Sequence, residues 1–143
     1  MLFLKHNLDY MVFGILGFMS FLMVWFVIER YFYYSHIKLN SFKNADNLNV
    51  ALTNHLTIIS TIGANAPYIG LLGTVIGIML TFYDMGQGGK VDVHTIMTGL
   101  SLALKATAAG LAVAIPSIMF YNGLLRKVDV LNAKWRELQD NGS

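Results

Sequence analysis

Charge disappears from the chain over residues 11–28, MVFGILGFMSFLMVWFVI. As a helix this run reaches about 27 Å, close to the thickness of a bilayer's hydrocarbon layer. It ends in Glu29-Arg30-Tyr31-Phe32-Tyr33-Tyr34, charges followed by a belt of aromatics. Such a belt anchors a helix at the membrane interface, whereas a secretory leader would be shorter and end in small residues. The pattern predicts a first membrane helix at about 9–28, bulky on every side and suited to lipid.

Two more apolar segments follow, 67–83 and 93–122, joined by a short polar link at 86–92. Their composition differs from that of the first. Gly70, Gly73 and Gly77 punctuate the second span, with Thr74 and Thr81 one heptad apart. The third carries Gly99, Ser101, Ala103, Ala106, Thr107 and Gly110, with Lys105 among them. Lipid does not require small polar residues; close helix packing and water-lined paths do. Gly73 and Gly77 form a small-xxx-small pair that lets helices approach. Pro67 suits a helix start or a kink, which sets the second span at about 67–85 with part of 58–65 able to extend it. Asp92 is placed to cap the third helix, predicted over 93–122, where Pro116 removes one backbone bond and should bend it.

The remaining stretches are more polar. In 29–66, Leu48, Ala51, Leu52, His55, Leu56, Ile59 and Ile62 recur at helical spacing and predict one amphipathic helix running into the second span. In the tail, 123–143, Val128, Leu131, Trp135 and Leu138 form a stripe expected to pack on the middle segment. The fold class expected is all-α integral membrane: three transmembrane helices with long helical extensions.

Composition narrows the function. With 55% hydrophobic and only 13% charged residues, the chain is not an ordinary soluble domain. A net charge of +2 gives no case for nucleic acid. The chain has no cysteine, which removes disulfides and thiolate metal sites. His6, His36, His55 and His94 are never at metal-binding spacing. GQGGK at 86–90 lacks the leading glycine and the trailing Ser/Thr of a phosphate loop and reads as a turn. Nothing indicates an enzyme or a cofactor. Arg30, Lys38, Lys43, Arg126, Lys127, Lys134 and Arg136 fall on one side of the predicted spans, against Lys5 and Lys90 on the other. The excess places the N-terminus outside and the C-terminus in the cytoplasm.

Lys105 is the sharpest single feature. It lies about 18 Å from the outer end of the third span, too deep for easy snorkelling. A charge there costs at least ~2.5–3.5 kcal/mol on insertion scales, so it needs water or a counter-charge. Asp84 and Asp92 both sit at the outer rim, so a counter-charge is expected from another chain. Thr74 and Thr107 fall near the middle of antiparallel neighbours. Their hydroxyls could hold water and hand on protons, or bond their own helices one turn back.

APYIGLLGTVIGIM (66–79) and GLSLALKATAAGLAVAIP (99–116) resemble the second- and third-span signatures of the ExbB/TolQ/MotA proton-channel family. The resemblance implies a bacterial inner-membrane homo-pentamer around the single helices of an ExbD-like partner. It implies that proton motive force is turned into work on a TonB-like protein for outer-membrane nutrient import. Thr74 and Thr107 match the family's channel-lining threonines; Thr81, Ser101 and Lys105 join them as candidate pore residues. Gly70, Gly73, Gly77, Gly99, Gly110 and Pro116 are the packing set. Leu102 stands where many members carry a glutamate, so that acidic role does not transfer, and the partner's own aspartate becomes the expected counterpart of Lys105. The short middle segment favours the ExbB branch over the TolQ branch, which serves envelope integrity. A small oligomeric transporter that binds an anion at Lys105, and a passive scaffold, are the readings from other classes.

Overall fold

The computed structural model describes residues 2–88 and 92–142. Gly89, Lys90 and Val91 of the predicted outer turn lie outside the described residues. Four α-helices follow in order: α1 (Leu2–His36), α2 (Ala45–Leu52), α3 (Leu56–Gly88) and α4 (Val93–Asn141), with a 3₁₀ turn at Leu39–Ser41. α1, α3 and α4 are long and apolar enough to cross a membrane. The fold is therefore all-helical with three candidate spans.

Every long helix runs further than its apolar stretch. α1 carries on past the aromatic belt to His36, and α4 absorbs the whole tail as one helix of 49 residues. At 1.5 Å per residue α4 reaches about 74 Å, more than twice a hydrocarbon layer, so part of it must project into water. Asp92 caps it, the carboxylate accepting from the His94 amide at 3.2 Å. Pro116 lies inside α4 and the helix continues through it.

Of the two roles open to Pro67, it does not take the helix start: α3 begins at Leu56 and incorporates it, so the stretch at 58–65 that could extend the second helix does so. One expectation fails here: the amphipathic stripe from Leu48 to Ile62 is not one helix. α2 stops at Leu52 and α3 restarts at Leu56, because His55 takes a left-handed conformation with φ 70°. That conformation costs about 1–2 kcal/mol for a residue with a Cβ. Two contacts offset it. The His55 ring stacks on Phe26 of α1 with centroids 4.6 Å apart. Side chains of α1 also satisfy the last carbonyls of α2, which a helix end leaves unpaired. Arg30 Nη1 donates to the Ala51 carbonyl at 2.8 Å and Tyr34 donates to the Leu52 carbonyl. Arg30 is only 2% exposed, and its guanidinium is paired with Glu29. The hydrophobic pattern survives the break: Leu48, Leu52, Leu56, Ile59 and Ile62 are all buried.

These residues join Val27, Tyr34, Leu124, Val128 and Trp135 in one apolar core at the end of the bundle holding α2. The tail closes over the middle segment. Trp135 Nε1 donates to the Phe42 carbonyl at 3.1 Å and Asn132 donates to Asn49 at 3.2 Å. A second, smaller core of Val12, Leu16, Ala66, Ala106 and Ala114 sits where α1 meets α3 and α4. The opposite face of α1, with Phe18, Phe21 and Trp25, is exposed and suited to lipid.

Candidate functional site

The functional side chains are held by the antiparallel pair α3 and α4. Glycine sets how closely the two helices approach. A methyl group on Gly70 would lie 2.5 Å from the Ala106 carbonyl oxygen, and one on Gly110 would lie 2.6 Å from the Ala66 carbonyl oxygen. Only hydrogen fits at either place, so the backbones touch. Gly73 faces Ala106 and Val12, and Gly77 faces Ala103.

That contact brings the hydroxyls of Thr74 and Thr107 into a direct hydrogen bond. Thr74 Oγ1 also donates to the Ala103 carbonyl at 2.8 Å, with the Gly70 carbonyl at 3.2 Å. A carbonyl can only accept and a hydroxyl has one proton, so Thr107 is the donor to Thr74. The pair is an ordered donor chain running from α4 to α3 and back to the α4 backbone. Thr74 is 7% exposed and Thr107 is half-buried. α1 packs near Gly73, Ile69 and Ala109. At 100° per residue Thr74 is about 140° around α3 from Ile69, and Thr107 about 160° around α4 from Ala109. The threonines therefore lie on the edge of the α3–α4 seam that faces away from α1.

Lys105 is not beside them. It is two positions from Thr107, about 160° around the helix, and it is exposed on the face of α4 turned away from α3. Ser101, one turn earlier, shares that exposed face. The described residues thus carry two polar features on different sides of α4.

A third feature involves α1, which composition alone had assigned to lipid. Asp9 lines a cavity of about 180 Å³ with Thr81 of α3 and Leu102 of α4. Gly73, Gly77 and Gly99 form much of its wall and leave the space open. The volume admits several waters. Thr81 is buried, donates to the Gly77 carbonyl at 2.9 Å and fills the room beside Gly99. Leu102 is 43% exposed. A carboxylate of this chain therefore reaches the level of Leu102, one turn along α4 from Lys105, in addition to Asp84 and Asp92 at the outer rim. Asp9 precedes the apolar run and its helical register against α3 is not visible in sequence; the lone acid at the head of a span was the available signal. Among the described residues no group of His, Asp or Glu could hold a metal ion.

The MotA/TolQ/ExbB proton channel family matches residues 35–137, most of the chain and both threonine-bearing helices. The chain belongs to this family. Similar proteins lie in its ExbB branch. A biopolymer transport protein ExbB of Helicobacter pylori is 59% identical over 95% of this chain and 94% of its own length. A biopolymer transport protein ExbB of Aquifex aeolicus is 50% identical over 94% of this chain and 91% of its own. Similarity to the Tol-Pal system protein TolQ of Haemophilus influenzae is lower and shorter, 36% over 63% of this chain and 40% of that protein. Members of the MotA/TolQ/ExbB family are channel and transport subunits rather than enzymes.

Proposed function

We propose that this chain is an ExbB-type motor subunit. Five copies surround the single helices of an ExbD-like partner in the bacterial inner membrane, and proton flow through the assembly works a TonB-like protein for nutrient import across the outer membrane. The N-terminus is periplasmic and the long end of α4 is cytoplasmic, in accord with the distribution of Lys and Arg. The observation that carries the reading is the hydrogen-bonded pair Thr74–Thr107 at the seam edge away from α1. In a ring with α1 outside, that edge lies toward the centre, where a partner's carboxylate could exchange a proton with the pair. As the partner's carboxylate gives a proton to the Thr107 oxygen, Thr107 passes its own proton to Thr74 and Thr74 releases the one it holds against the Ala103 carbonyl to water in the path, so that each hydroxyl keeps one proton. Asp9 and Thr81 line a separate cavity two turns further along α3, and Asp9 stands in for the acid that Leu102 does not supply. Lys105, on the far face of α4, meets the neighbouring copy or the partner.

The ExbB assignment over TolQ rests on identity and coverage. The test is proton flux into liposomes holding the assembled complex, read with uptake in cells. Thr74→Val and Thr107→Val keep shape and remove the hydroxyls. Each is expected to assemble and retain the partner while flux and energy-dependent uptake fall at least tenfold. Unchanged flux in the double variant would return the threonines to helix packing. Restoration of envelope integrity in place of nutrient uptake would move the chain to the TolQ role. Saturable uptake of a solute by this chain alone would make it a transporter.

A further inference from the structure

At the end of the bundle away from the Asp9 cavity, α1 and α4 leave a cleft of about 410 Å³. Tyr34 and Ser35 wall it from α1; Arg126, Lys127 and Lys134 project from α4. None of its lining residues is acidic. Asp129, in the same stretch of α4, is exposed and outside the lining. The Lys127 ammonium sits over the Tyr31 ring, 4.8 Å from its centre, so an aromatic face and not a carboxylate holds it in place.

Depth gives the cleft its meaning. Tyr31, Tyr34 and Ser35 lie roughly 5–10 Å beyond the end of the apolar run at Ile28, counted at the helical rise. The headgroup layer of a bilayer reaches about 5–8 Å past the hydrocarbon on each side. Tyr31 and the Lys127 held over it lie within that layer, and Tyr34 and Ser35 lie at its outer edge. Arg126 and Lys134 line the same cleft, Lys134 about 10 Å further along α4 than Lys127, and Val130 and Leu131 supply an apolar floor.

We propose that this cleft binds the phosphate headgroup of an anionic phospholipid. Arg126, Lys127 and Lys134 neutralise the phosphate, and Val130 and Leu131 receive the start of the acyl chain, while the Ser35 hydroxyl stays bonded to the Tyr31 carbonyl at 2.8 Å. Basic pockets between membrane helices bind anionic headgroups in this way. A bound lipid would tie the end of α1 to the cytoplasmic reach of α4, where α4 leaves the membrane. The inference does not depend on the proposed motor role.

The test uses the assembled full-length protein in nanodiscs of equal parts phosphatidylglycerol and phosphatidylcholine. Native mass spectrometry then counts lipids and copies in one spectrum. Phosphatidylglycerol should be retained and phosphatidylcholine lost. Each cation removed should weaken retention roughly fivefold, so Lys127→Gln with Lys134→Gln should reduce it about 25-fold. The Arg pair at the same positions should restore it. Lys38→Gln with Lys43→Gln, the same charge change outside the cleft, should change retention by less than about twofold. Equal loss in both double variants overturns the proposal in favour of general surface charge. Displacement of the lipid by inorganic phosphate at matched concentration makes the cleft a free-anion site and also overturns it. Loss of copies with unchanged lipid assigns the cations to a neighbouring copy's acids and overturns it as well.

Discussion

Lys105 and Thr107 show how two residues from one motif come to different positions. They are two positions apart in the string, and the helical repeat turns them to opposite sides of α4. The threonine is caught in the seam with Thr74, and the lysine is left outside it. Lys105→Met keeps the stem and removes the charge. It should leave the assembly intact, since a desolvated charge is rarely a net source of stability. Partner retention and uptake should both fall, by about tenfold or more; co-purification read beside uptake checks this. Asp9→Asn preserves size and hydrogen bonding in the cavity but cannot carry a proton. Proton flux should drop at least fivefold with no loss of thermal stability. Flux at the unmodified level would reduce the cavity to a packing gap.

At the scale of elements, the α3–α4 pair depends on contacts that only glycine allows. Gly110→Ala puts a methyl 2.6 Å from the Ala66 carbonyl oxygen, which is backbone and cannot swing aside. Overpacking of this kind costs about 1–3 kcal/mol, and thermal stability of the assembly in detergent should fall by several degrees. Gly86→Ala is the matched control. Nothing lies within 4 Å of the methyl it would add, and alanine is the better helix former by ~1 kcal/mol. Its stability should be unchanged or slightly higher. A similar fall in both variants would mean that chain stiffness, and not helix approach, is being measured. The joint between α2 and α3 follows a different logic. Its strained residue is stable because Phe26, Arg30 and Tyr34 reach it from α1, so the end of one membrane helix fixes the start of the next.

At the scale of the whole molecule, one protomer leaves a great deal of apolar and small-residue surface uncovered. The back of α1 is bulky and suits lipid. The outward face of α4, with Ser101, Lys105 and Ala108, is small and exposed and suits protein. The proposed ring of copies would cover the second and leave the first to the bilayer. Native mass measurement of the protein in mild detergent should give five copies, with or without partner chains. A stable monomer in detergent and in lipid would count heavily against the ring.

The sequence alone determined the broad plan. An uncharged run with an aromatic belt, two small-residue spans and two signature motifs are local properties, and they point to an all-helical membrane protein of this family without reference to contacts. It also identified most of the buried positions on the amphipathic stretches, because burial follows periodicity, although Leu138 at the end of the tail stripe is 43% exposed. Other features were decided only when the helices packed. The break at His55 comes from ring stacking and borrowed hydrogen bonds across the fold, which outweigh helical periodicity. Pro67 stays inside a helix because packing and neighbouring turns outweigh one missing backbone bond. The direction of the Thr107–Thr74 hydrogen bond, the separation of Lys105 from both, and the meeting of Asp9 with Thr81 and Leu102 depend on rotation and register between helices. Those quantities are set by where glycine lets two backbones touch, and a linear pattern does not contain them.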